Sequence, residues 1–169
     1  MASNKLLFIA MLVGITFVAP ANADLVVRFD EGAPKDRFTF LNNGECTLED
    51  AVIRLDLSTS TAGLIFDTTD QGAGVEVFQP LQLVSGKNSL KNIPTVKDGD
   101  QSVHLEIDEL TQGQSIAFTI DVDDTAGGRE ITVSDSEISG AVVEFSKNAS
   151  SISASFEAAP ETVLKMPTC

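Results

Sequence analysis

Asp121, Asp123 and Asp124 are the side chains of this sequence best suited to chemistry. In the run Ile116-Ala117-Phe118-Thr119-Ile120-Asp121-Val122-Asp123, Ile116, Phe118, Ile120 and Val122 fall at every second position. That is the period of a strand with one buried face. Asp121 and Asp123 then share the opposite face, about 6–7 Å apart at Cα, and Asp124 begins the following turn. Carboxylates at a strand end, supplemented by loop carbonyls, offer the hard oxygens that Ca2+ collects, roughly six to eight at a time. Asp67, Asp70, Asp98 and Asp100 are further acids that folding could bring to the same place. The spacing is not that of an EF-hand loop. The competing reading is a solvated acidic face that aids solubility.

Other chemistries find less support. The chain holds one His and two Cys, too few for the common zinc sites, which use four N/S ligands or three and a water. His104 alternates onto the polar side of a predicted strand beside Glu106. A general base also needs a positioned nucleophile, and no G-x-S-x-G elbow is present, so His104 reads as a surface residue. Paired carboxylates of the glycosidase kind are available by number. With no Trp and no Tyr, the flat platforms that hold sugars are missing. The Gly72-Ala73-Gly74 and Ala126-Gly127-Gly128 stretches lack the Lys-Ser/Thr of a phosphate loop and read as turns. A non-enzymatic protein is expected.

The elements that must position these acids follow from the whole chain. It has 169 residues, 11 Lys+Arg against 25 Asp+Glu, a formal net charge of -14 and a hydrophobic share of 43%. Length and composition suit one globular domain. The acidic balance argues against nucleic acid, whose phosphates require a basic surface. Residues 1–23 have the features of a secretory signal peptide: Lys5, an apolar run from Leu6 to Val18, and Ala21-Asn22-Ala23 as a small-x-small cleavage site. The run is shorter than the ~20 residues that span a bilayer. The mature chain is expected to start at Asp24, in a secreted or periplasmic location, with no membrane span. Cys46 and Cys169, in an exported chain, suggest one disulfide; two separate thiols, or a Cys169 bonded to another chain, are the alternatives.

Period-two alternation runs through the mature part: Leu25/Val27/Phe29, Phe38/Phe40, Ala51/Ile53/Leu55/Leu57, Leu64/Phe66, Val75/Val77, Val103/Leu105/Ile107, the Ile116–Val122 set, Ile131/Val133, Val143/Phe145 and Ile152/Phe156. Gly, Asn, Asp, Ser and Pro clusters punctuate these runs. No window carries a helical stripe; Thr47–Leu57 starts with good helix formers, but its alternation decides for strand. The expected fold is all-β, a single antiparallel β-sandwich of immunoglobulin-like or jelly-roll-like form over 24–158. The tail over 159–169, with Pro160 and Pro167, is expected to be irregular.

Several stretches together resemble the secreted bacterial "aggregation factor core" proteins, a label taken from the sponge cell-adhesion proteoglycan. They are Glu31-Gly32-Ala33-Pro34-Lys35-Asp36-Arg37-Phe38, Ala62-Gly63-Leu64-Ile65-Phe66-Asp67 and Gly72-Ala73-Gly74-Val75-Glu76-Val77-Phe78-Gln79-Pro80. The last are Ile116 to Thr125 with Gly127 to Val133, and Ser136-Glu137-Ile138-Ser139-Gly140-Ala141. The resemblance spans about 24–145. It implies an exported β-sandwich with an adhesive or matrix role and supplies no catalytic residues. The expected partner is an extracellular protein or polysaccharide, with Ca2+ as an assisting ion. The alternative is a structural subunit that assembles by strand exchange; a hydrolase with a carboxylate pair is a third class.

Overall fold

A computed structural model describes residues 23–69, 79–125 and 133–166. The alternating segments form β1 (Ala23–Asp30), β2 (Asp36–Asn42), β3 (Leu48–Asp56), β4 (Ile65–Asp67), β5 (Gln82–Ser85), β6 (Ser102–Leu110), β7 (Ser115–Asp123), β8 (Val142–Lys147), β9 (Ser150–Ser155) and β10 (Glu161–Met166). A 3-10 turn at Lys87–Ser89 is the sole helical element among the described residues. In one sheet β10, β1, β2 and β7 lie side by side, and β4 and β5 both pair with the remaining edge of β7. The other sheet has the order β6-β3-β8-β9. All registered strand pairs are antiparallel. The fold is therefore the all-β sandwich expected from the period-two pattern.

The inward positions are those of the alternation. Leu25, Val27 and Phe29 of β1, Phe38 and Phe40 of β2, Ile53 and Leu55 of β3, Leu105 and Ile107 of β6, and Ile116, Phe118 and Ile120 of β7 are all fully buried. Each such side chain contributes roughly 1.5–3 kcal/mol of transfer free energy. The phenylalanines concentrate on one side. Phe38 lies 5.1 Å from Phe29 and 5.4 Å from Phe118, and Phe66 meets it edge-on at 6.4 Å. This aromatic cluster reaches β7 through Phe118, on the strand that carries Asp121 and Asp123.

The inner face of β2 is polar at both ends, with Asp36 at its start and Asn42 at its finish. Asn42 continues the Phe38/Phe40 phase and is fully buried. Its Nδ2 donates to the carbonyls of Cys46 (2.7 Å) and Leu110 (2.8 Å), and its Oδ1 accepts from the Gly44 N–H (3.1 Å). A single amide thus satisfies backbone groups where β2 hands over to β3 and where β6 ends. The link from β3 to β4 is fastened elsewhere: Thr59 Oγ1 donates to the Gly140 carbonyl and the Thr61 N–H to that of Ser139. Gly140 has a φ of 90°, and a Cβ there would collide with the Thr59 carbonyl, so glycine is required.

Two expectations change, and one strand was not foreseen. The tail over 159–169 is not irregular: Glu161–Met166 forms β10, pairing with β1 from Ala23↔Met166 to Arg28↔Glu161. Pro160 lies just before this strand, so it removes no donor from the ladder. The sandwich accordingly runs past residue 158. β5 has no counterpart among the alternating runs, because the Leu81/Leu83 phase is short and the adjacent Val84 blurs it. Thr47–Leu57 is a strand from Leu48 onward, as its alternation required. The signal peptide over 1–23 (up to Asn22), Asp70, Val75, Val77, Ile131, both glycine turns and Cys169 lie outside the described residues.

Candidate metal centre

β4 and β5 succeed one another along the same edge of β7. Ile65, Phe66 and Asp67 pair with Asp123, Val122 and Asp121; Gln82 and Leu83 pair with Thr119 and Phe118. Asp67 and Gln82 thus face positions two residues apart on β7, so β4 and β5 line its edge end to end, and the acids stand at their junction.

Phe66 and Val122 face the core, which puts Asp67, Asp121 and Asp123 together on the outward face. Asp67 and Asp121 are directly opposite across the two strands, and Asp123 follows two residues along. One carboxylate oxygen from each lies within 4.8 Å of the others. This outward face is not solvated: Asp67 is 1% exposed, Asp121 7% and Asp123 5%. The half-buried strand expected from alternation is covered on both sides at its C-terminal end. The expected set of Asp121, Asp123 and Asp124 is therefore brought together in part. Asp124 is only half-buried and stands outside the group, and Asp67 takes its place. Asp98 accepts from the Thr68 N–H and Asp100 from the Lys97 N–H; neither joins the three.

Gln79, three residues before β5, closes over the group. It is 6% exposed, and its Nε2 donates to Asp121 Oδ2 at 2.9 Å. Its Oε1 is buried and accepts no hydrogen bond. Next to it, the Lys35 ammonium donates to the Pro80 carbonyl at 2.6 Å; burial lowers the Lys35 pKa, and the charge of Asp121 opposes that. Asp36 lies on the inner face of β2, opposite Ile120, where its carboxylate accepts from the N–H groups of Gly32 (3.1 Å) and Val122 (3.0 Å). Burial pushes the Asp36 carboxyl up to about 7 against the pull of those two N–H groups. Asp121 is also pushed up to about 7, first by burial, then by repulsion from Asp123 and Asp67. A buried group of like charges is unfavourable in itself, and proton uptake is one way to relieve it.

His104 stands apart, exposed on β6 of the other sheet and opposite Arg54, whose guanidinium is 2.8 Å from Asp56. A cation, not a nucleophile, is its cross-strand neighbour. Sequence reasoning singled out Asp121 and Asp123 and named Asp67 among acids that could approach. It missed Gln79, because a glutamine in a Gly-rich stretch carries no periodic signal. No protein-family model, curated protein or solved structure matches this chain. Among the described residues no helix is long and apolar enough to cross a membrane.

Proposed function

We propose that this chain is an exported, non-enzymatic β-sandwich that works by binding, in adhesion or extracellular matrix, with assistance from a divalent cation. One observation carries the reading: the grouped carboxylates are buried to within a few per cent. Carboxylates that hydrolyse a glycoside must flank a sugar ring, with room for it between them. Oxygens this close and this enclosed admit an ion but not a sugar. The signal-peptide features of residues 1–23, the strongly acidic surface and the stretches that resemble aggregation factor core proteins favour the same reading. The partner class is an extracellular protein or polysaccharide.

Strand exchange is less well supported. β1, the obvious donor, lies between β10 and β2 and is in register with both. To exchange it would give up hydrogen bonds on two sides at once. The Cys46–Cys169 disulfide belongs to the same proposal. Met166 pairs with Ala23, Leu25 pairs with Asn42, and the Asn43 N–H donates to the Asp24 carbonyl. The chain therefore passes Met166 at the end of the sheet where Cys46 lies, and no described cysteine is free.

The test is capture. Immobilised mature protein is incubated with cell-surface material in millimolar Ca2+ or in EDTA. Retention of a protein or polysaccharide in Ca2+, reduced in EDTA, is the expected result. No retention in either condition would remove the adhesive reading.

A further inference from the structure

We infer that β9 is a self-association edge: two copies of this chain pair antiparallel along Ser150–Ser155 and join their β6-β3-β8-β9 sheets into one. The inference goes beyond the cation-assisted binding role and does not depend on it. β9 ends its sheet, with β8 on one side and no strand registered on the other among the described residues. The direction of its main-chain groups follows from two hydrogen bonds. The Phe156 N–H donates to the Ala141 carbonyl, back toward β8, whereas the Ser155 carbonyl accepts from Thr162 Oγ1 of β10, in the other sheet. Main-chain groups alternate sides along an antiparallel strand. The N–H and C=O of Ser151 and Ser153 therefore point away from β8 as well, and among the described residues no partner meets them.

Charge selects a second copy as the occupant. Edge strands are normally blunted by charge, proline, a bulge or brevity. β4 has three residues, and β5 has four with a register shift. β10 carries Glu161 and Lys165. β6 carries Glu106, Asp108 and Glu109, and its edge is already met by Leu90 opposite Ile107 and by the Lys91 N–H on the Glu106 carbonyl. β9, with the sequence Ser-Ser-Ile-Ser-Ala-Ser, has none of these devices. A strand that pairs with itself sets like against like, which neutral side chains permit and charged ones oppose. In a chain of net charge -14, β9 is thus the described edge where two copies can meet. Its ends also differ in sign: Lys147 stands opposite Ser150 across the turn, and exposed Glu157 is the second residue beyond Ser155. Antiparallel pairing sets each copy's Lys147 end beside the other's Glu157 end, whereas parallel pairing would set like ends together. With the two-fold axis at Ile152, Ser151 exchanges main-chain bonds with the partner's Ser153, and the Ser155 carbonyl held by Thr162 is not needed. Ile152, half-buried at the rim of the core, then faces the partner's Ile152, and the apolar layer runs from one copy into the next.

The experiment is sedimentation velocity of the mature chain at concentrations up to about 1 mM. We expect a reversible monomer–dimer equilibrium with a Kd on the order of 10⁻⁴ M, because a single strand-edge contact is smaller than a standard interface. Ser153→Pro removes an outward N–H and leaves the β8 ladder intact. It takes two hydrogen bonds from each dimer and should weaken association at least about tenfold, with the thermal midpoint of the dilute monomer unchanged. Ser151→Asp should weaken it similarly by charging the edge. Val84→Asp, at an exposed apolar residue on β5, should leave the dimer unchanged. Ile152→Cys should oxidise to a dimer bridged at that position, since facing residues of this kind lie about 4.5 Å apart at Cα, within disulfide reach. A chain that stays monomeric at about 1 mM, a dimer that survives both Ser153→Pro and Ser151→Asp, or one abolished by Val84→Asp overturns the inference. If Ser153→Pro does not fold, an unchanged dimer in Ser151→Asp together with no bridge in Ile152→Cys overturns it. Capture of a cell-surface protein that is lost in Ser153→Pro, by a chain that is itself monomeric, would assign the edge to a foreign strand and overturn the dimer.

Discussion

Replacing Asn42 by alanine should weaken the fold far more than its small loss of volume suggests. The side chain is fully buried and makes three hydrogen bonds, two donated to the Cys46 and Leu110 carbonyls and one accepted from the Gly44 N–H. Alanine leaves all three backbone groups without that partner in a place water reaches poorly. Each orphaned group costs about 1–3 kcal/mol, and carbonyls retain a second lone pair, so the expected loss is about 3–5 kcal/mol. That is a large share of the ~5–15 kcal/mol that holds a typical domain together. Asn42→Asp sharpens the test. Its near oxygen can still accept from Gly44, but an ionised second oxygen would face two carbonyls and repel both. At pH 8 it should be worse than alanine. The deficit should shrink on acidification, because the folded chain raises this carboxyl's pKa and a protonated acid can donate one of the lost bonds. With no Trp or Tyr in the chain, unfolding in urea is followed by circular dichroism, comparing midpoints at unchanged slope. A loss below about 1 kcal/mol for Asn42→Ala, or equal stability of the two variants at pH 8, would refute the account of Asn42 as a buried three-way tie.

Asp36 makes stability depend on pH in the direction opposite to that of a salt-bridged acid. Its carboxyl is raised from 3.8 to about 7 in the fold, so between those values the folded chain holds a proton that the unfolded chain has lost. Stability from this group is greatest at the acid end, falls by up to about 1.4 kcal/mol per pH unit as pH rises through the window, and is flat above it. Thermal midpoints should fall from pH 5 to pH 8 and fall less in Asp36→Asn; an unaltered slope in that variant would refute the assignment. The proposed disulfide should appear in non-reducing peptide maps as a Cys46–Cys169 pair. Its reduction should cost at most about 4–5 kcal/mol, the chain-entropy value for a loop of roughly 120 residues; recovery of both as free thiols would refute it.

Sequence alternation located most strands because each buries one face against a shared core, as Ile53, Leu105 and Phe118 do. It was weaker where that condition is absent. In β4, Ile65, Phe66 and Asp67 are all buried, so only the Leu64/Phe66 pair marked the strand. β5 is a short edge strand with exposed and half-buried residues only. β10 was masked by its flanking prolines, although Thr162 and Leu164 do alternate inward. For the site, Asp121 and Asp123 were legible because they interrupt a strongly periodic strand at its end. Their burial was not, since the cover comes from Gln79, which is 42 positions from Asp121. Which distant acid would stand opposite Asp121 depended on the β4–β7 register, a long-range property that no local pattern encodes.

The pairing of β1 with β10 also dictates when the molecule can be finished. One side of β1 has its neighbour early, since β2 follows within a few residues, but the other side waits for Glu161–Met166, the last strand of the described chain. Until those residues emerge from the ribosome, that edge of the first sheet stays open and the layer cannot be completed. Contacts between positions so far apart also make folding intrinsically slow. A nascent chain of this design leaves its first sheet unfinished until the last described strand has been made.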